Sequence, residues 1–81
     1  MTLGTMVRAF ITVKTETGQA ETLAGALTDI EHVTAANVVA GDFDVMVEAE
    51  AGEVYELIDA VATRVRGTEA VEETKTYVCL E

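Results

Sequence analysis

The sequence carries one cysteine, Cys79, one histidine, His32, and five basic residues against fifteen acidic ones. A lone cysteine cannot form an intramolecular disulfide, which excludes the small secreted domains stapled by such bridges. Cys79 reads as an internal thiol. A single histidine, with no cysteine nearby and no His-x-His or Cys-x-x-Cys spacing, gives a metal site no frame. His32 reads as a solvated loop residue, and neither a metal nor a cofactor is expected. Cys79 and His32 fall on different elements with no third residue to orient them, which argues against nucleophilic catalysis. Gly18 and Gly52 stand alone at helix starts and do not form a phosphate-cradling loop. No catalytic residue is assigned.

The scarcity of base (Lys14, Lys75, Arg8, Arg64 and Arg66) leaves a formal charge of -10. Phosphate neutralisation needs the opposite sign, so direct nucleic-acid binding is not expected, and an anionic membrane surface would repel the chain. The longest stretch without Asp, Glu, Lys or Arg, His32 to Gly41, falls far short of the roughly 18 apolar residues of a membrane helix. Met1 to Val7 lacks the basic start and apolar run of a signal peptide, so a cytoplasmic location is expected. Acid excess with few lysines also suits a protein kept soluble in concentrated salt, and a halophilic origin is held as a hypothesis.

Eighty-one residues, 49% of them hydrophobic, suit one domain over 1–81 with a core spanning 6–80. Met6 to Lys14 alternates as a strand, with Val7, Ala9, Ile11 and Val13 opposed to Arg8, Phe10 and Thr12. From Gly18 to Ile30, Ala20, Leu23, Ala24, Leu27 and Ile30 recur at helical spacing. Val33 to Ala40 reads as a second strand ending at a Gly41-Asp42 turn, and Asp44 to Ala51 alternates as a third. Gly52 opens a second helix with a stripe of Val54, Leu57, Ile58, Val61 and Val65, acids at its start and Arg64 and Arg66 at its end. Gly67 supplies an expected left-handed stop, and Ala70 to Leu80 is the last strand. Ile11, Val13, Gly18, Leu23 and Ala26 recur thirty-four positions later as Val45, Val47, Gly52, Leu57 and Ala60. This doubling predicts an α+β, ferredoxin-like βαββαβ domain: a four-stranded antiparallel sheet of order 4-1-3-2 with two helices on one face.

Strand alternation then turns Phe10 and Met46 away from the helices, joined by either Tyr77 and Cys79 or Val78 and Leu80, and by Val38 or Val39. Exposing several large apolar groups forgoes roughly 1.5–3 kcal/mol apiece. Dimerisation through this face, giving a dimeric α/β barrel with Phe10, Met46 and Tyr77 at the interface, recovers it. Arg8, Glu48, Glu50 and Lys75 would line the rim or pair across strands.

Gly41-Asp42-Phe43-Asp44 packs a glycine, two carboxylates and an aromatic into one tip. A capped hairpin turn accounts for it. Alternatively, exposed N–H groups at Gly41 take a ligand carboxylate while an Asp takes its ammonium group. Thr74 and Thr76, on one face of the last strand, are ordinary strand formers or suppliers of hydroxyl bonds.

The stretches Val7-Arg8-Ala9-Phe10-Ile11-Thr12-Val13-Lys14-Thr15, Gly41-Asp42-Phe43-Asp44-Val45 and Val71-Glu72-Glu73-Thr74-Lys75-Thr76 resemble the amino-acid-binding regulatory domain of the Lrp/AsnC family of transcription regulators. The glycine-x-aromatic-Asp turn is the most specific of these elements. The resemblance implies a ferredoxin-like homodimer, often built into a ring of dimers that binds free amino acids where dimers meet. It places Gly41, Asp42, Phe43 and Asp44 at the ligand-contacting turn and Thr74 and Thr76 at polar strand positions. Phe43 stands where tyrosine is commoner. Only about five residues precede strand one, so a helix-turn-helix domain is not expected, and action on transcription would pass through co-assembly with full-length relatives. The expected function is an effector-binding and oligomerisation module rather than an enzyme. The alternatives are a small dimeric enzyme of monooxygenase or isomerase type, which needs a roomy polar interior, and a pure assembly partner of full-length regulators.

Overall fold

β-Branched residues on alternate positions set the central strand, β1 (Val7–Thr15), whose Ala9, Ile11 and Val13 are fully buried while Arg8 and Lys14 on the reverse side are exposed. The computed structural model describes residues 6–80. After β1 come α1 (Ala20–Thr28), β2 (Val33–Val38) and β3 (Val45–Ala51). A second helix follows, α2 (56–66), made of a π-helical segment Glu56–Ala62 continued by an α-helical turn Thr63–Arg66. The last strand is β4 (Val71–Val78). The strands lie side by side as β2-β3-β1-β4, all antiparallel, which is the anticipated 4-1-3-2 order seen from the other edge.

Both helices roof the same face. Leu23, Ala24 and Leu27 of α1 and Leu57, Val61, Ala62 and Val65 of α2 close one apolar cluster over Ala9, Ile11, Val13, Val45, Val47, Ala49 and Ala51. Burying each larger member contributes roughly 1.5–3 kcal/mol. No buried side-chain polar atom among the described residues lacks a partner.

The internal repeat is visible in the backbone. Glu16 N–H donates to the Ala70 carbonyl at 3.1 Å, and the related Glu50 N–H donates to the His32 carbonyl at 3.0 Å. Ala70 and His32 each immediately precede the second strand of their half, and both are left-handed, with φ of 79° and 78°. A side chain in that region costs about 1–3 kcal/mol. The surrounding strand bonds hold it at both equivalent corners.

Several local expectations are corrected. Gly67 is not left-handed: its φ is -85°, and the helix closes through its N–H to the Thr63 carbonyl and the Thr68 N–H to the Val65 carbonyl. The second helix does not bury the whole anticipated stripe, since Val54 and Ile58 are exposed and Ala62 takes a core place. The π-helical turn explains this, because its i→i+5 bonding widens the spiral and rotates successive residues away from 3.6-residue spacing. The Thr63 hydroxyl donates to the Ile58 carbonyl five residues earlier, at 3.5 Å. In β2, Val38 lies opposite the core residue Val45 and so belongs to the helix side, though exposed at its rim. Val39, whose N–H carries the same register on to the Asp44 carbonyl, is the valine left on the reverse side, next to Asn37 opposite Met46.

Candidate functional site

On the face of the sheet away from the helices, cross-strand neighbours form two rows. Asn37, Met46, Thr12 and Lys75 make one, and Ala35, Glu48, Phe10 and Tyr77 the other. Phe10, Met46 and Tyr77 therefore share this face, with Tyr77 and Met46 exposed and Phe10 half-buried. The register decides between the two options for strand four, since Val78 lies opposite Ala9 on the helix side. Arg8 reaches diagonally to Glu48, with Nη1 3.2 Å from Oε2, although Glu50 stands directly opposite it. Its guanidinium also lies 5.9 Å from the centre of the Phe10 ring. This rim pair is exposed, so its own contribution is small. Thr12, at 7% exposure, is the buried polar centre of the face, its hydroxyl donating to the Lys75 carbonyl at 3.4 Å.

The tip between β2 and β3 is a loop closed at its neck, where Val39 N–H donates to the Asp44 carbonyl at 2.9 Å. Gly41, with φ +151°, occupies a conformation that side chains rarely adopt. The two carboxylates of the tip differ in position and role. Asp44 is half-buried; its N–H donates to the Val13 carbonyl and its Oδ2 accepts the Thr15 N–H, both at 2.9 Å. It welds the tip to the end of β1. Asp42 is exposed at the apex. Phe43 turns towards the open face, where Lys75 Nζ lies 5.7 Å from its ring centre.

Thr74 and Thr76 lie opposite Val13 and Ile11, which puts them on the helix side. There they form one wall of a groove of about 350 Å³, whose other wall is Asp59, Thr63 and Arg66 of α2, with Ile58 and Val78 also lining it. The spacing of Asp59, Thr63 and Arg66 along one helix face was the sequence signal for this wall, and it was missed. The tip and the threonines therefore do not meet within one protomer. Val45, beginning β3, and Thr74 both flank Val13, so they are about 10 Å apart across two strand spacings, and the aromatic and the hydroxyls point to opposite sides.

His32 is half-buried rather than fully solvated, with Nε2 3.9 Å from Glu56 Oε2. It lines a cleft of about 460 Å³ beside Tyr55 and Asp59. The repeat-related cleft, of about 470 Å³, has Thr22, Glu69 and Ala70 at the matching places. Among the described residues no group of three His, Cys, Asp or Glu side chains could hold a metal ion. Cys79 is half-buried just beyond β4. The space between helices and sheet is filled with apolar side chains.

A family model, the Lrp/AsnC ligand binding domain, matches residues 8–81. The chain belongs to this family. Three solved structures share the fold of this Lrp/AsnC domain. A protein of Thermus thermophilus is 24% identical, covering 93% of this chain and 94% of its own, with a TM-score of 0.84. A hypothetical protein of Pyrococcus horikoshii is 25% identical over 93% and 90%, with a TM-score of 0.83. A feast or famine regulatory protein from M. tuberculosis, complexed with L-methionine, is 21% identical, with a TM-score of 0.71. There the match covers 96% of this chain and 52% of the regulator. No curated protein matches significantly. Among the described residues, no helix of this Lrp/AsnC domain is long and apolar enough to cross a membrane.

Proposed function

We propose that this domain is a cytoplasmic effector-binding and oligomerisation module that captures a free amino acid without covalent chemistry. Its subunits pair through the face carrying Phe10, Met46 and Tyr77. The ligand sits where dimers meet, between the Gly41–Asp44 tip of one subunit and the Thr74 and Thr76 groove of another. The observation that carries this reading is the placement of tip and groove on opposite sides of one protomer's sheet. Residues with complementary ligand chemistry that cannot converge within a subunit can converge between subunits.

The geometry supports a division of labour. Asp44 fixes the tip through Thr15, exposed Asp42 takes the ligand's ammonium group, and the Gly41 backbone takes its carboxylate. The threonine hydroxyls set the preference for the ligand's side chain. A ligand held between dimers favours the assembled state over the separated one, so its output is a shift in oligomer size. Transmission to transcription passes through co-assembly with full-length Lrp/AsnC-type regulators.

Isothermal titration and thermal shift against the twenty amino acids test the proposal. Binding of at least one, with an increase in mass in solution, is the expected result. Silence with all twenty, while assembly persists, would remove the effector and leave a subunit that only assembles.

A further inference from the structure

We infer that Lys75 is a positioning residue that holds the Gly41–Asp44 tip through the ring of Phe43, a role that rests on the reading of this tip as the effector-contacting loop. Backbone hydrogen bonds fix the tip only at its neck and its end, where Val39 N–H meets the Asp44 carbonyl and Asp44 is tied to Val13 and Thr15. Among the described residues, the apex at 40–43 makes no hydrogen bond. Gly41 adds freedom there rather than restraint, since glycine reaches its φ of +151° without a Cβ penalty. What remains to hold the apex is the side chain of Phe43, half-buried, with Lys75 Nζ 5.7 Å from its ring centre.

The backbone of Lys75 is clamped in β4 opposite Thr12, whose hydroxyl donates to the Lys75 carbonyl at 3.4 Å, so the stem starts from a fixed point on the open face. Among the described residues its ammonium makes no ion pair, although the chain carries fifteen acids against five bases. Glu73, two residues along on the same side of β4, stands opposite Lys14 instead. The charge is left for the ring. A cation within about 6 Å of a ring centre is attracted by the ring's quadrupole, and at an exposed site this changes an equilibrium constant roughly two- to fivefold. Phenylalanine suits the partnership, because it has no hydroxyl to bond elsewhere and its face is what it offers. The neighbours of Lys75 in the strand, Thr74 and Thr76, point to the helix side. Lys75 therefore ties the tip to the strand that carries the groove, which keeps a subunit's two half-sites at a constant offset.

NMR order parameters for the Gly41 and Asp42 amides, with the ring signals of Phe43, read the tip in protein without added amino acid. Lys75→Met keeps a long apolar stem and removes the charge; the apex amides are expected to lose order and the Phe43 signals to move. Lys75→Arg keeps a cation that stacks on aromatic faces and should return both to the parent values. Isothermal titration with each of the twenty amino acids adds the binding readout. The one that binds the parent should bind Lys75→Met roughly two- to fivefold more weakly and Lys75→Arg as it binds the parent. Because Lys75 acts through the ring, Lys75→Met should add nothing further in a Phe43→Leu background. A parent-like apex in Lys75→Met would overturn the inference, as would Lys75→Arg behaving like Lys75→Met. So would a full second loss in the Phe43→Leu background, which would put Lys75 on the ligand itself. Heat from none of the twenty removes the effector reading alone, and the order parameters still decide what Lys75 does.

Discussion

Asp44 Oδ2 accepts the backbone N–H of Thr15 at 2.9 Å. The bond satisfies a β1 donor at the point where β3 has not yet begun, and Thr15 is only 8% exposed. Asp44→Ala leaves that N–H without its partner, and the expected loss is about 1–3 kcal/mol of stability. Asp42→Ala, at the exposed apex, should stay within about 0.5 kcal/mol of the parent while weakening amino-acid binding. Urea denaturation of the two variants side by side separates the anchoring acid from the ligand-facing one; equal losses would contradict the assignment.

Met46 sits in the middle of the face opposite the helices, beside Thr12 and Asn37. Met46→Glu places a charge where a partner sheet must pack, and desolvating it unpaired is costly. Light scattering should find an 8.6 kDa monomer at concentrations where the parent protein is larger, with unchanged far-ultraviolet circular dichroism. A variant of unaltered mass would mean that subunits meet elsewhere.

Thr74→Val and Thr76→Val keep side-chain shape but remove the hydroxyls that face Asp59, Thr63 and Arg66 across the groove. Losing one ligand hydrogen bond of about 0.5–1.5 kcal/mol lowers affinity roughly two- to tenfold. Folding stability should barely change, because valine favours strands at least as well as threonine. Titration calorimetry on the amino acid that binds the parent protein gives the answer, and affinities equal to the parent would take the groove out of the site.

With fifteen acids against five bases, self-repulsion opposes the compact state until salt screens it. The melting temperature should therefore climb between low and molar KCl. A flat or falling profile would count heavily against a halophilic origin.

Strand alternation made most of this architecture legible beforehand: Ile11 and Val13 against Arg8 and Phe10, and Val45 and Val47 against Met46 and Glu48, fix both faces. The thirty-four-residue echo fixed the order of elements. Helical spacing was a poorer guide in α2, because sequence periodicity assumes 3.6 residues per turn and does not register the wider spiral that leaves Val54 and Ile58 outside. Glycine was an incomplete marker of left-handed backbone: Gly18 has a φ of 80°. Gly67 stays right-handed, while His32 and Ala70, held by strand bonds from Glu50 and Glu16, carry positive φ. The tip Gly41–Asp44 was visible as a motif. What no spacing could reveal was that Asp44 serves the backbone, a fact set by a β1 donor twenty-nine residues away.

The strand order has a mechanical corollary. β1 and β2 belong to the first half of the repeat and β3 and β4 to the second, yet every hydrogen-bonded seam in the sheet joins one half to the other. A protease cut at Gly41 would release two fragments, neither owning a single pair of adjacent strands. Each would be a helix with two orphaned ribbons. The domain thus gains no autonomous unit from its duplicated sequence: the halves are laced like the fingers of clasped hands, and they fold together or not at all.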